Sequence, residues 1–175
     1  PWPATSAAWS RGARWRCDLV AYACADAGRP AAPLPNSSTS PDGTWIVQRR
    51  ANNLYARRAD GSGAEVALTT DGIPDFGYAT NNAGWTHGEN PILTWSPDGK
   101  RLAYCAERGG QYDIYTVSVD GGSETQLTNL PGLDDGPEYS PDGKHIWFNS
   151  TRSGLMQVWR MEADGSNPTH MVKEE

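Results

Sequence analysis

No stretch of the 175 residues approaches the roughly 18 consecutive apolar positions that a membrane-spanning helix requires, so the sequence offers no such span. There is no initiator methionine and no leader with a charged start and an apolar middle, so the chain is expected to begin inside a longer gene product or after a processing site. Cysteine is scarce: Cys17, Cys24 and Cys105. The six residues between the first two match no zinc knuckle. Thiols are the expectation there, with a Cys17–Cys24 disulfide as the alternative. Arginines are scattered and no recognition motif accompanies them, so a nucleic-acid partner is not expected.

Charge is abundant but divided. Residues 1–58 carry eight arginines against Asp18, Asp26 and Asp42, a net of +5, whereas residues 59–175 hold seven basic and eighteen acidic residues, a net of −11. A basic front half docking on an acidic back half, within the chain or between copies, is one consequence.

The repeated word is Ser-Pro-Asp-Gly. It begins at Ser40, Ser96 and Ser140, each time just before an apolar run: Trp45-Ile46-Val47, Leu102-Ala103-Tyr104-Cys105 and Ile146-Trp147-Phe148. A second Asp-Gly follows at Asp60, Asp120 and Asp164, which lie 20, 24 and 24 residues after the serine. Proline presets the turn, aspartate bonds to nearby main chain, and glycine accepts the positive φ that reverses the chain. Each copy therefore predicts four short antiparallel strands: one before the first turn, one after it, one ending at the second Asp-Gly, and one beyond.

A lone sheet of this kind buries neither face, and tandem units of about 40–45 residues stack as propeller blades. The predicted fold is all-β: a partial β-propeller of about three four-stranded blades, completed by oligomerisation. Residues 38–72 form blade 1, 73–90 an inter-blade insertion, 91–130 blade 2 and 131–175 blade 3. The Pro- and Ser-rich "PLPNSST" at 33–39 predicts a damaged inner strand in blade 1. Residues 1–37 read as an irregular N-terminal segment; the spacing of Trp2, Trp9 and Trp15 does not decide between helix and strand.

The stretches "WSPDGKRLAY…DIYTVSVDGGSETQLT" and "DGPEYSPDGKHIWFNSTRSGLMQVWRMEADGS" resemble the six-bladed repeats of TolB-like proteins over about residues 91–172. Residues 52–98 are similar instead to the propeller domain of bacterial dipeptidyl peptidases of the prolyl oligopeptidase family. The resemblance implies a propeller, a periplasmic or secreted bacterial location and a role in protein assemblies. It implies activity only weakly. Peptidases of that family carry their Ser-Asp-His machinery in a separate domain that nothing here matches, and their substrate-holding Glu-Glu pair is not found. Nor is there a Gly-x-Ser-x-Gly elbow between strand and helix. Ser62, flanked by Gly61 and Gly63, occupies a turn that the other copies also make.

Function in such a fold usually lies in the irregular connections, here 71–90, 107–113, 129–138 and 150–156. Tyr78, Asn81, Asn82, Trp85, His87 and Glu89, with Arg108 and Arg152, are the candidate ligand-binding residues for a protein, peptide or small polar ligand. Packing of Trp85 between blades is the structural alternative. His87 and Glu89, joined by Asp134, Asp135 and Glu138, are the candidate metal ligands; solvated acidic loops are the competing account. No catalytic residue stands out. Asp42, Asp98 and Asp142 recur at every turn, and turn geometry explains them. His145 and His170 fall on strands, where a sheet-face or interface role is the default.

The leading functional expectation is a non-catalytic binding module without cofactor that associates with itself as a homodimer or homotrimer. A small metal-dependent hydrolase, using a divalent metal at the 71–90 and 129–138 loops, is the first alternative. A structural propeller fragment of a peptidase-like protein is the second.

Overall fold

A computed structural model describes residues 5–10, 13–18, 21, 23–26, 34–74, 77–79 and 90–171. The chain divides into two compact units, Pro1–Leu34 and Pro35–Glu175.

The first unit holds three antiparallel strands in sequential order, β1 (Thr5–Ser10), β2 (Ala13–Asp18) and β3 (Ala23–Asp26). A front segment read as irregular, with helix and strand both open, thus contains strands. The thiol expectation for its cysteines is corrected: Cys17 lies directly opposite Cys24 in the β2–β3 ladder, and the two form a disulfide. A cross-strand pair brings two side chains to one place on one face, which sequence spacing alone does not reveal.

The second unit is three four-stranded antiparallel sheets, with no helix among the described residues. Sheet 1 comprises β4 (Ser37–Thr39), β5 (Trp45–Arg50), β6 (Asn53–Arg58) and β7 (Val66–Ala67). Sheet 2 comprises β8 (Leu93–Trp95), β9 (Arg101–Arg108), β10 (Gln111–Ser118) and β11 (Thr125–Gln126). Sheet 3 comprises β12 (Asp134–Tyr139), β13 (His145–Ser150), β14 (Gln157–Glu162) and β15 (Thr169–His170). In each, neighbours in sequence are neighbours in space. Even "PLPNSST" yields a short strand, with Ser37–Thr39 pairing to β5.

The three Ser-Pro-Asp-Gly turns are built alike. Ser40, Ser96 and Ser140 each donate Oγ–H to the Oδ1 of the aspartate two residues on, at 2.6 Å. Each serine Oγ also accepts the backbone N–H five residues on, at 2.9, 2.9 and 3.0 Å. Gly43, Gly99 and Gly143 take φ of 74°, 68° and 71°, a region costly for any residue with a Cβ.

Strand alternation then decides the packing. On β9, Leu102, Tyr104 and Ala106 join Trp45, Val47, Leu54 and Ala56 of sheet 1, with Tyr115 and Val117 of β10 on the same side. Ala103, Cys105 and Ile114 point the other way and join Ile146, Phe148 and Met161 of sheet 3. Sheet 2 is therefore covered on both faces. Sheet 3 is not: Trp147, Val158 and Met171 on its far face are 37%, 40% and 37% exposed, where the matching Ala103 and Ile114 of sheet 2 are wholly buried.

Candidate functional site

The connection after sheet 1 brings two of the candidate ligand-binding residues together. Tyr78 bridges to Ala106 on β9, and its N–H donates to Asn52 O at 3.1 Å. That fixes its ring beneath the end of β9, where Arg108 lies 4.6 Å from the Tyr78 ring centre and 5.2 Å from that of Tyr115. Arg108 donates from Nη2 to the Tyr78 hydroxyl at 2.6 Å and to Glu124 Oε1 at 2.9 Å. The Tyr104 hydroxyl donates to Glu124 Oε2 at 2.7 Å, and the Tyr78 hydroxyl donates to Asp71.

Each polar group thus has a partner of complementary kind. Burial works against the Arg108 charge, but Tyr78 and Glu124 beside it prevail and raise its pKa. Burial, with the neighbouring carboxylates, pushes the Tyr78 and Tyr104 hydroxyls well above the ordinary tyrosine range. Both stay protonated donors at physiological pH. With Arg108 and Glu124 each about a quarter exposed, the ion pair holds geometry more than it adds stability, about 1 kcal/mol at most.

Beside this network lies an open cleft of about 500 Å3, lined by Arg108, Gln111, Asp113, Tyr115, Glu124, Gln126 and Asn129. Its buried acid is Asp113, 2% exposed, whose carboxylate accepts from Gln111 Nε2 at 3.1 Å, Gln126 Nε2 at 3.1 Å and Thr128 Oγ1 at 3.1 Å. Burial raises the Asp113 pKa even though these donors work to lower it.

Arg152 is the sheet 3 counterpart of Arg108, since each follows its turn serine by 12 residues. It lies 4.9 Å from the Phe148 ring centre and 5.1 Å from that of Trp159, and it bonds Asp134 Oδ2 at 2.7 Å and Ser150 Oγ at 2.8 Å. Asp134 sits opposite Ser150 as Tyr78 sits opposite Ala106. With side chains 7% and 1% exposed, this pair is interior, and removing one partner costs about 3–5 kcal/mol. Asp135 accepts from the Gly136 N–H, and Glu138 accepts from Thr94 at 3.2 Å. Asn81, Asn82, Trp85, His87 and Glu89 lie outside the described residues. Among the described residues no three His, Cys, Asp or Glu side chains converge as metal ligands would.

Sequence reasoning did not single out Glu124, Gln126, Gln111 or Asp113. Glu124 has a counterpart in Glu65, which pairs with Arg50 as Glu124 does with Arg108, so for it the available signal was recurrence; for Gln126 it was the lack of a counterpart. The cross-strand partner of Tyr115 is Gln126, while Tyr55 has Ala67 in that place and Trp159 has His170.

Serially stacked four-stranded antiparallel sheets, joined by repeated turns, define a β-propeller architecture. Residues 78–175 match the profile of the TolB β-propeller domain, and residues 10–117 match that of the dipeptidyl peptidase IV N-terminal region. The chain belongs to the TolB-like β-propeller family, and its first sheet and most of its second also match the propeller region of dipeptidyl peptidases. An uncharacterised protein of Agrobacterium fabrum is 55% identical over 71 residues, 41% of this chain and 22% of that protein. The Tol-Pal system protein TolB of Francisella tularensis is 33% identical over 98 residues, 55% of this chain and 21% of its own length. A solved structure assigned as TolB of Agrobacterium tumefaciens superposes with a TM-score of 0.60 at 30% identity, covering 97% of this chain and 58% of that one. Dipeptidyl peptidase 4 of Porphyromonas gingivalis gives a TM-score of 0.63 at 12% identity over 96% of this chain and 30% of that one, a likeness of fold alone. The chain spans about a fifth of the length of the curated relatives quoted.

Proposed function

We propose that the chain is a non-catalytic propeller module that docks a protein or peptide on the face carrying its inter-blade connections, at the Tyr78–Arg108 cleft. One observation carries the reading: Arg108, Glu124, Tyr78, Tyr104 and Asp113, in and beside the cleft, are hydrogen-bonded to one another or to neighbouring side chains in a fixed surface. Recognition uses such a preorganised wall, because groups already held in place lose little freedom when a partner docks. Two relatives named as Tol-Pal system proteins support a component of such a system as the partner. The Cys17–Cys24 disulfide supports an oxidising compartment, the periplasm or the exterior of a bacterium. A second copy is proposed as the cover for the open face of sheet 3.

Purified components of a bacterial Tol-Pal system, immobilised singly, test the docking. Saturable binding is expected, weakened about tenfold by Asn129→Trp, which fills the cleft, and unchanged by Ser62→Trp in the opposite turn. Absence of binding, or equal loss from both variants, defeats the reading.

A further inference from the structure

We infer that the Asp135–Gly136 step is a modification site, at which the main chain isomerises spontaneously from aspartate to isoaspartate. The sequence contains eight Asp-Gly steps, identical as dipeptides, and the fold treats one of them differently. Gly43, Gly61, Gly99, Gly121, Gly143 and Gly165 each donate their N–H to the carbonyl oxygen three residues back, at 2.8–3.1 Å. Gly72 donates to Asn53 Oδ1 at 2.9 Å. Gly136 donates to Oδ1 of Asp135, the residue just before it, at 2.7 Å.

The cause is a β-bulge. Asp135 pairs with Asn149 and Glu138 with Trp147, so Gly136 and Pro137 together span what Phe148 alone spans on β13. Gly136 takes φ 59°, which a residue with a Cβ adopts only at a cost, and it is exposed to solvent.

The hydrogen bond sets the Gly136 nitrogen beside the carboxyl carbon of Asp135 and directs its proton toward an oxygen of that group. Ring closure needs both. The bond from Gly136 N to Asp135 Cγ forms as the Cγ–OH bond of the protonated carboxyl breaks, and the hydroxyl leaves with the nitrogen's proton as water. The product is a five-membered succinimide. Water then opens it at the new bond, restoring aspartate, or at the old bond from Asp135 C to Gly136 N, which leaves the main chain running through Cβ and Cγ. No oxidant or reductant enters, and the reacting groups are already held together.

Elsewhere these groups are drawn apart. Asp42, Asp60, Asp98, Asp142 and Asp164 each accept the backbone N–H two residues on, at 2.8–3.1 Å. Those bonds, with the serine hydroxyls, lower all five pKa values, and an ionised carboxylate has no hydroxyl to lose. Asp71 accepts from the Tyr78 hydroxyl. Isomerisation at Asp135 adds a main-chain atom next to Asp134, whose carbonyl accepts from Cys105 Sγ at 3.1 Å and whose carboxylate holds Arg152. The altered step therefore adjoins a contact between sheets 2 and 3.

Ageing the folded chain in heavy-oxygen water at mildly acidic pH tests the inference, because each ring opening leaves one labelled oxygen at its site. Fragmentation of the tryptic peptide between Arg108 and Lys144 separates Asp120, Asp135 and Asp142. Asp135 is expected to take up label about tenfold faster than either of the others, and unfolding in urea to erase that difference. The aged chain is expected to accept methyl groups from an S-adenosylmethionine-dependent isoaspartyl methyltransferase. Asp135→Glu, whose longer side chain cannot close the five-membered ring, should lose most of that acceptance, and Asp142→Glu should keep it. Equal uptake at the three sites in the folded chain, a preference for Asp135 that persists in urea, or undiminished methyl acceptance in Asp135→Glu would overturn the inference.

Discussion

The aspartates of the turns show how far one residue type follows from its neighbours. Asp42 accepts from the Ser40 hydroxyl, the Thr44 N–H and the Thr44 hydroxyl, and these bonds hold its pKa down to about 2. Asp98 and Asp142 are lowered by the same serine contact, and Asp60 and Asp164 by bonds from Ser62 and Ser166. A carboxyl group whose folded pKa is depressed stabilises the fold fully above its unfolded pKa, and that contribution is lost as pH falls toward the folded value. Thermal unfolding followed from pH 5 to pH 2 is therefore expected to show a falling midpoint below about pH 4, with the slope reduced in an Asp42→Asn, Asp98→Asn, Asp142→Asn triple variant. Asp113 works with the opposite sign, because burial raises its pKa and folding favours its protonated form. Asp113→Asn should steepen the acid loss; a triple variant with the parental slope would show that the turn carboxylates do not set it.

At the scale of the element, the hairpins were legible in the sequence, and the candidate site only in part, through Tyr78 and Arg108. Turn chemistry is local, so Ser-Pro-Asp-Gly announced where strands end, and every strand expected beside those turns is present. The acceptors of the cleft come from β10, β11 and the residues after them, brought together by pairing such as Tyr115 with Gln126, and register is a property of two strands at once. The Cys17–Cys24 bond was hidden for the same reason. Turns also do more than reverse the chain. Gly165, at φ 89°, nests against sheet 2, where a Cβ would come within 2.9 Å of the Leu127 carbonyl oxygen and 3.1 Å of its Cα. Gly165→Ala is therefore expected to cost more than about 1 kcal/mol in denaturant unfolding, through both backbone strain and a clash between blades. Gly63→Ala, at φ 73° with open space around its missing Cβ, isolates the backbone part. Equal costs for the two would show that the inter-blade contact contributes nothing.

At the scale of the whole molecule, sheet 3 leaves an apolar side uncovered among the described residues. Val47, Ala103 and Trp147 hold the same place in their sheets, as do Leu54, Ile114 and Val158; the first two of each set are wholly buried, and the third is open. Trp147, Val158, Met171 and the neighbouring Met156 and Leu155, 47% and 75% exposed, form a surface that a further blade would bury. The isolated chain is expected to self-associate as a dimer or trimer. Light scattering across concentrations checks this, with Val158→Lys shifting the particles toward monomer. A monomer at every concentration would refute it.

Among the described residues, one apolar cluster joins sheets 1 and 2 and another joins sheets 2 and 3, so the packing of sheet 1 does not directly constrain the composition of sheet 3. Ancestral duplication or loss of a hairpin pair would leave the remaining layers intact, provided each newcomer brought its own reversal and a suitably greasy side. Such modular inheritance would let one copy change its exposed residues while its siblings keep the stack upright.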